Sequence, residues 1–535
     1  MKLQDHVSLF TSEKTARKQW EDYWQELADV LLPKRADITS GYIPGEDRIS
    51  PTIYDSTPMQ ARRGLATAMD GLLKSKTSKW FFGRATDDEL NDNDEVREWS
   101  RIVENRMWTA IYSRNARFIQ RTGEVDNDLV ALGTGFIFTG ESRKLKTLHF
   151  ASLHPKDAVI LEDGDGVIDT LYFEQRLTAR QAFGLYGTNI GGLTHEALKS
   201  EGNKKKFPFI TCVFPRKDRN TKGLSNTDLP WAKLIIDKDS EHSVEESGYH
   251  EFPFAVPRWE TGTGEKYGRS PGMVALPDAK TLQAMGKTIL VAGQKAVDPP
   301  LLAYDDAIIG AARTFPGGIT TIDVEAARGI GRFPVEPLNT GANIPLGREM
   351  QNDTRKSVEA AFFRNVFNLP VEGPQMTATE ILERKDEFIR EIGPVFGRLE
   401  TDYTGAIIER VFGVMLRAGA FPPPPKVLQG QDFKFELQSP IQMARKQIEA
   451  AGAARAIEII TPFVQADPSV MDNFDGDKIA RDTPDIFGIP VEWLRSKEER
   501  DELRAQREQA ATAEESLGMA QQVTDVMKEV PPDAL

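Results

Sequence analysis

The stretch WETGTGEKYGRSPGMVALPDAK, Trp259 to Lys280, decides how the middle of the chain is read. Its front half is glycine-rich and basic, in the manner of a loop that cradles phosphates, and its back half turns into a helix. As a phosphate loop it fails. GEKYGRS lacks a Lys-Ser/Thr pair after its second glycine, and the glycine spacing is not GxGxxG. The preceding FAVPRW makes a poor buried parallel strand because Pro257 interrupts it. What remains is a turn in which Gly264 and Gly268 serve geometry, with Pro271 opening a helix. The stretch is a hinge into a long element.

That helix runs for about 25 residues and stops at Asp298-Pro299-Pro300. Lys280, Lys287 and Lys295 fall within a sector of about 80° on it, with Leu282, Met285 and Ile289 on the opposite side. Ala284, Gly286, Ala292 and Gly293 allow close neighbours. From the spacing alone, a solvated face on an ordinary amphipathic helix is the commoner account of the lysines. A compact glycine-rich piece follows over 301–343, with strand-like GGITTIDV and RFPVEPL, and then a second long helix over about 346–367. The loop NLPVEGPQMT comes next. Helix, small head, helix describes a protruding hairpin. Alone it would leave its apolar flank wet, and ring assembly solves that because each copy covers its neighbour.

Working outward, the first third reads as helical. Trp20, Tyr23, Trp24, Leu27, Val30 and Leu31 recur at helical spacing before Pro33. DSTPMQARRGLATAMDGLLKS offers Ser56 and Thr57 as caps, with Pro58 in the first turn. Trp80, Phe81 and Phe82 form an apolar cluster, and a further helical block spans about 94–122. From about Leu148 the period changes to alternation with Asp-Gly turn signals, a β-rich subdomain. Residues 239–248 read as an exposed loop or hairpin tip. Beyond 377 the pattern is helical over two elements broken near Gly393-Pro394; FPPPPK is a stiff connector, and the last hundred residues are helical and polar. The fold class is α+β, mainly helical, in two to four domains.

Composition narrows function by exclusion. With 40% hydrophobic and 28% charged residues the chain fits a soluble globular class. It has no run of about 18 apolar residues and no apolar signal core at its start, so no membrane partner is expected. A single cysteine, Cys212, excludes an intramolecular disulfide and fits a reducing compartment. The net charge of −14 lacks the basic excess of a protein that grips nucleic acid, so any DNA contact must be local and weak. The six histidines, His6, His149, His154, His195, His242 and His250, show no metal-ligand spacing. EDGDG and DNFDGDK lack the twelve-residue calcium pattern, and there is no GxSxG and no Cys-His pair. No cofactor, metal or catalytic residue is expected, and the chain reads as a non-enzyme.

Four passages carry a resemblance. They are STPMQARRGLATAMDGLL with KWFFGR; PRWETGTGEKYGRSPGMVALPDAKTLQAMGK; TATEILERKDEF through FPPPP; and DNFDGDKIARDTPDIFGIPVEWLRSKEE. Over about residues 15–507 the chain resembles the head-to-tail connecting, or portal, proteins of short-tailed phages of podovirus type. The second passage is the most specific; the others are mainly helical composition. The resemblance implies a ring, commonly a dodecamer, at one capsid vertex of the virion, assembled in the host cytoplasm. A separate terminase ATPase packages double-stranded DNA through it, and the DNA is later ejected into the tail. Implied partners are further copies of the chain, the terminase large subunit, a tail adaptor, and the major capsid and scaffolding proteins. The family architecture of wing, stem, clip and crown maps as wing 1–269 and 377–438, stem helices 270–297 and 346–367, clip 298–345, channel loop 368–376 and crown 439–535. Lys280, Lys287, Lys295, Asn368, Val371, Glu372 and Gln375 then become the expected channel lining, and Gly264, Gly268 and Pro271 the hinge into the stem. Two other readings compete: a nucleic-acid-processing enzyme subunit, and another head–tail ring such as an adaptor or collar. The first needs an acidic metal cluster or a phosphate loop that the sequence lacks; the second leaves the hairpin unexplained.

Overall fold

The computed structural model describes residues 3–41, 53–91, 93–142, 146–199, 204–220, 225–303, 341–364 and 393–438, with short stretches and single residues elsewhere, mainly between 308 and 338 and between 452 and 512. The fold is α+β. It divides into two compact units, one built from residues 1–80, 105–376 and 390–421, the other from 81–104, 377–389 and 422–535.

In chain order the principal elements are α1 (Leu3–Ala16), α2 (Lys18–Leu31), α3 (Thr57–Leu73), β1 (Phe81–Ala85), α4 (Asp88–Asn91), α5 (Asp94–Ile111), α6 (Phe118–Leu132), β2 (Ile137–Glu141), β3 (Leu148–Ser152), β4 (Ala158–Glu162), β5 (Ile168–Thr178), α7 (Ala179–Tyr186), α8 (Gly192–Leu198), β6 (Lys206–Pro215), β7 (Trp231–Asp237), β8 (His242–Tyr249), β9 (Phe254–Ala255), α9 (Pro271–Val297), β10 (Leu301–Ala303), β11 (Val335–Pro337), α10 (Ile344–Ala361), α11 (Ala406–Arg417) and β12 (Phe433–Leu437).

The first unit holds a five-stranded antiparallel meander in the order β4-β5-β6-β7-β8. Strand alternation sorts its side chains onto two buried faces. Ile210 and Cys212 on β6, with Leu234 and Ile236 on β7, face α1, which contributes Phe10. Phe207, Phe209 and Ile235 point the other way, against Ala179 and Ala182 of α7. A smaller antiparallel sheet, β3-β2-β9, pairs Phe138 with Ala151 and with Phe254. Helices α2, α3, α6 and α9 form the helical layer. On α2 the buried residues Trp24, Leu27, Ala28 and Leu31 make one stripe at helical spacing.

Several expectations change. The block over 94–122 is two helices, because Arg117 adopts φ 56° and turns the chain between α5 and α6. Residues 242–249 form strand β8 rather than a loop, and Glu245 reaches Lys233 across the sheet at 2.7 Å. The β-rich region also contains α7, opened by a capping box between Thr178 and Gln181. Ser56 occupies the N-cap of α3 without a side-chain cap bond, and Asp55 Oδ1 accepts from the Thr57 amide instead, at 2.9 Å. Helix α10 begins at Ile344 and is assigned to Ala361; residues 365–367 lie outside those described. From 393 the helix runs on to 417 with a π turn over Glu400–Gly405, while the side of the expected break near Gly393-Pro394 that precedes it lies outside the described residues.

In the second unit β1 pairs antiparallel with β12, Phe81 opposite Leu437. Trp99 stacks edge-on against Phe433 at 5.1 Å and donates its indole N–H to Pro422 O at 3.0 Å. At Gly83 the ring of Phe433 takes the place of a side chain: a Cβ would lie 2.3 Å from Phe433 Cζ and would displace the ring. Asp477 accepts from both Arg500 and Arg504.

Candidate functional site

The opening stretch resolves into a loop that closes on itself. Glu260 and Arg269 exchange backbone hydrogen bonds of 3.2 and 2.7 Å, and Glu265 holds Arg269. At its tip Gly264 has φ +81°, a conformation that suits glycine. Gly268 meets Gly133 backbone to backbone. A Cβ on Gly268 would lie 2.2 Å from Gly133 O, and one on Gly133, at φ +86°, 2.1 Å from Gly268 O. Ser270 then caps α9: its hydroxyl accepts from the Met273 amide at 3.1 Å and donates to Ala131 O at 2.8 Å. Pro271 takes the first helical position, where its missing N–H costs nothing. The helix continues through Pro277 to Val297.

Burial along α9 is graded. Pro271, Gly272, Met273, Ala275, Leu276, Ala279 and Leu282 are buried, whereas no residue from Gln283 onward is. The side bearing Leu282, Met285 and Ile289 faces α10. Thr354 Oγ1 lies 3.8 Å from Met285 Sδ, and a Cβ on Gly347 would touch Ile289 at 3.4 Å. Lys280, Lys287 and Lys295 are exposed and, by helical geometry, point away from α10. They are not equivalent. Lys280 Nζ binds Glu26 Oε2 of α2 at 2.7 Å, an exposed pair, while Lys287 and Lys295 make no ion pair with a described residue. Beyond α9, β10 and β11 pair antiparallel, Leu301 opposite Pro337. Asn368, Val371, Glu372 and Gln375 lie outside the described residues.

The sequence reading passed over a polar knot at the root of this hairpin. Asp55, only 6% exposed, gathers Thr57 of α3 and both Gln351 and Arg355 of α10, while Gln283 of α9 grips the backbone at Tyr54 and Asp55. Burial pushes the Asp55 carboxyl up, but hydrogen bonds from Thr57 and Arg355 outweigh it and hold the group below its ordinary value. The signal available in sequence was slight: the partners lie far apart in the chain and share no local spacing. A second buried group, Lys74 with Asp126, lies under the helical layer, both side chains fully buried. Among the described residues no cluster of His, Cys, Asp and Glu could hold a metal, and no helix is long and apolar enough to cross a membrane.

The described geometry is a rooted helical hairpin with a cationic outer side. Comparison with known proteins agrees on its kind. The chain is 28% identical over 520 residues to the probable portal protein of Bordetella phage BPP-1, covering 96% of this chain and 92% of that one. It is 26% identical over 517 residues to the portal protein of Salmonella phage epsilon15, covering 95% and 91%. Among solved structures, the virion of a native gene transfer agent particle matches at a TM-score of 0.35 and 10% identity, covering 80% of this chain and 95% of that one, a likeness too slight to carry any argument. The sequence pattern of the bacteriophage head to tail connecting proteins matches residues 4–494, and the chain belongs to that family.

Proposed function

We propose that the chain is a portal subunit: copies assemble as a ring, commonly of twelve, whose central channel passes double-stranded DNA into a phage capsid and later out through the tail. The observation that carries this reading is the uncovered distal half of the hairpin. On α9 Leu290 is 54% exposed and Val297 88%, and on α10 Leu346 is 52% and Met350 51%. A lone monomer has no use for such wet apolar residues, and a neighbouring hairpin covers them at every position of a closed ring.

In this reading residues 270–297 and 346–367, built on α9 and α10, are the stem, residues 298–345 the clip that meets the packaging motor and then the tail adaptor, and residues 368–376 the channel loop. Residues 1–269 and 377–438 make the wing, and 439–535 the crown inside the head, near the major capsid and scaffolding proteins. Lys280, Lys287, Lys295, Asn368, Val371, Glu372 and Gln375 face the DNA. Gly264, Gly268 and Pro271 set the angle at which the stem leaves the wing. Because the duplex must slide whatever its sequence, contacts go to phosphates and not to base edges. The terminase large subunit supplies the energy, so the subunit itself needs no phosphate loop. The ring assembles in the host cytoplasm and ends at the capsid vertex.

Negative-stain images and light-scattering mass of the purified protein test the proposal. Rings with a central hole are expected. A single-copy particle at all concentrations refutes it.

A further inference from the structure

The two helices of the hairpin pack along Met285 and Ile289, with Thr354 Oγ1 3.8 Å from Met285 Sδ and Ile289 beside Gly347. The polar ties run instead through a two-residue segment that belongs to neither helix. Gln283 Oε1 accepts from the Tyr54 amide at 2.7 Å and the Asp55 amide at 2.9 Å, and Gln283 Nε2 donates to Asp55 O at 2.7 Å. One side chain of α9 therefore satisfies three backbone groups of the segment. From the other side, Asp55 Oδ2 accepts from Gln351 Nε2 at 3.2 Å and Arg355 Nε at 2.9 Å, both on α10. Its Oδ1 accepts from the Thr57 amide at the start of α3. Gly286 lets the strand of chain lie close: a Cβ there would sit 3.1 Å from Tyr54 Cβ.

We infer that Tyr54–Asp55 is a strap that locks α9 to α10 and both to α3, with Gln283, Gln351 and Arg355 as its positioning residues. Gln283 grips the segment from one level of α9, and Gln351 and Arg355 grip Asp55 from successive turns of α10, so sliding either helix by a turn breaks bonds of the set. That the strapped helices line a DNA channel rests on the function proposed above; the strap itself does not.

Hydrogen exchange of the full-length protein, followed by mass spectrometry, tests the strap without reference to DNA. Asp55→Asn and Gln283→Ala are each expected to speed exchange in peptides covering 284–297 and 344–358 by on the order of tenfold, while peptides of β4 to β8 stay within about twofold of wild type. The double variant is expected to match the single ones, since either removes the same tie. Gln283→Glu separates positioning from space-filling. It keeps shape and acceptors but replaces the donor facing Asp55 O with a charged oxygen, and it is expected to loosen the hairpin as much as Gln283→Ala. Unchanged hairpin peptides, acceleration spread equally over the sheet, or full tolerance of Gln283→Glu would each overturn the proposal. Should Asp55→Asn fail to yield folded protein, the two Gln283 variants decide alone. Wild-type protein that forms no rings, with the hairpin peptides accelerated in the variants as expected, would count against the portal reading and leave the strap standing.

Discussion

Replacing Lys74 by Met tests the account of the helical core most directly. The Lys74 ammonium lies 2.6 and 2.8 Å from the two Asp126 oxygens, both side chains are fully buried, and Tyr403 places its ring 4.7 Å from the ammonium. Met keeps the length of the side chain and removes the charge, leaving Asp126 buried without its partner. Breaking such a pair from one side costs about 3–5 kcal/mol. At ~2.1 cal/mol/K of unfolding entropy per residue, a cooperative unit of about 300–400 residues would melt ~4–8 °C lower by scanning calorimetry. The cost has a sign in pH. Burial already raises the Asp126 carboxyl above its ordinary value, and loss of Lys74 raises it further. A carboxyl raised in the folded state favours folding where it is protonated, and that contribution disappears as pH rises through the raised value. The deficit of Lys74→Met against wild type should therefore be largest at neutral pH and shrink on acidification towards about pH 4. The double variant Lys74→Met/Asp126→Leu should regain most of the loss, because no unpaired charge remains. A deficit below about 1 kcal/mol, or one flat in pH, would refute the assignment of a buried ion pair.

Charge reversal should rank the lysines of α9. Lys287→Glu and Lys295→Glu are expected to reduce packaged DNA length or retention with rings intact, and Lys280→Glu to reduce it less, since its ammonium is already engaged by Glu26 in an exposed pair worth at most about 1 kcal/mol; equal effects at all three positions would contradict the ranking. Gly133→Ala should be severely destabilising, with about 1–3 kcal/mol from the backbone conformation alone and more from a Cβ set 2.1 Å from Gly268 O; a soluble variant with an unchanged melting temperature would sink that reading. Asp37 carries a carboxyl held well below the usual range, first by the His154 imidazole 3.5 Å away and then by Lys156. Its stabilisation is complete above the unfolded value of about 3.9 and is lost as pH falls below it, so Asp37→Asn should be less stable than wild type at pH 6 and approach it in acid, as melting curves across pH would record.

Legibility followed the range of the interactions. The long helix after Pro271 was readable because its signals are local: a proline at the first position, a glycine-bearing turn before it and a double proline after it. The β-rich region was readable from alternation, and Phe207, Phe209 and Ile235 lie on one face of the sheet as a period of two requires. Helix α1 escaped notice because His6 and Phe10 are its buried residues, and a histidine does not read as apolar until Phe214 is seen stacked on it at 4.7 Å. Arg117 gave no warning that it would take a left-handed conformation and split the block after 94. At the site, the lysines of α9 could be placed on one side from spacing alone. That Lys280 is tied to Glu26, 254 positions away, could not, nor could the knot at Asp55, whose partners sit 228 and 300 residues along the chain. Polar ties of that span leave no periodicity.

The distribution of charge follows from what sliding demands. In the proposed ring of about twelve copies, Lys287 and Lys295, which pair with no described residue, would present about twenty-four ammoniums to the duplex. At a salt slope of ~0.9 per neutralised phosphate, full engagement would fix DNA in place rather than let it move. Two features keep engagement partial. The helical phosphate path cannot match a rotationally repeated belt at every copy, so only some lysines meet a phosphate at any moment. The chain as a whole is acidic, with a net charge of −14 per copy, so the field away from those few positions repels the duplex. Pairing Lys280 with Glu26 works in the same direction, since it removes one cation per subunit from the surface available to phosphates. An acidic protein is therefore a better conduit for DNA than a basic one, provided its cations sit on a hairpin held in register.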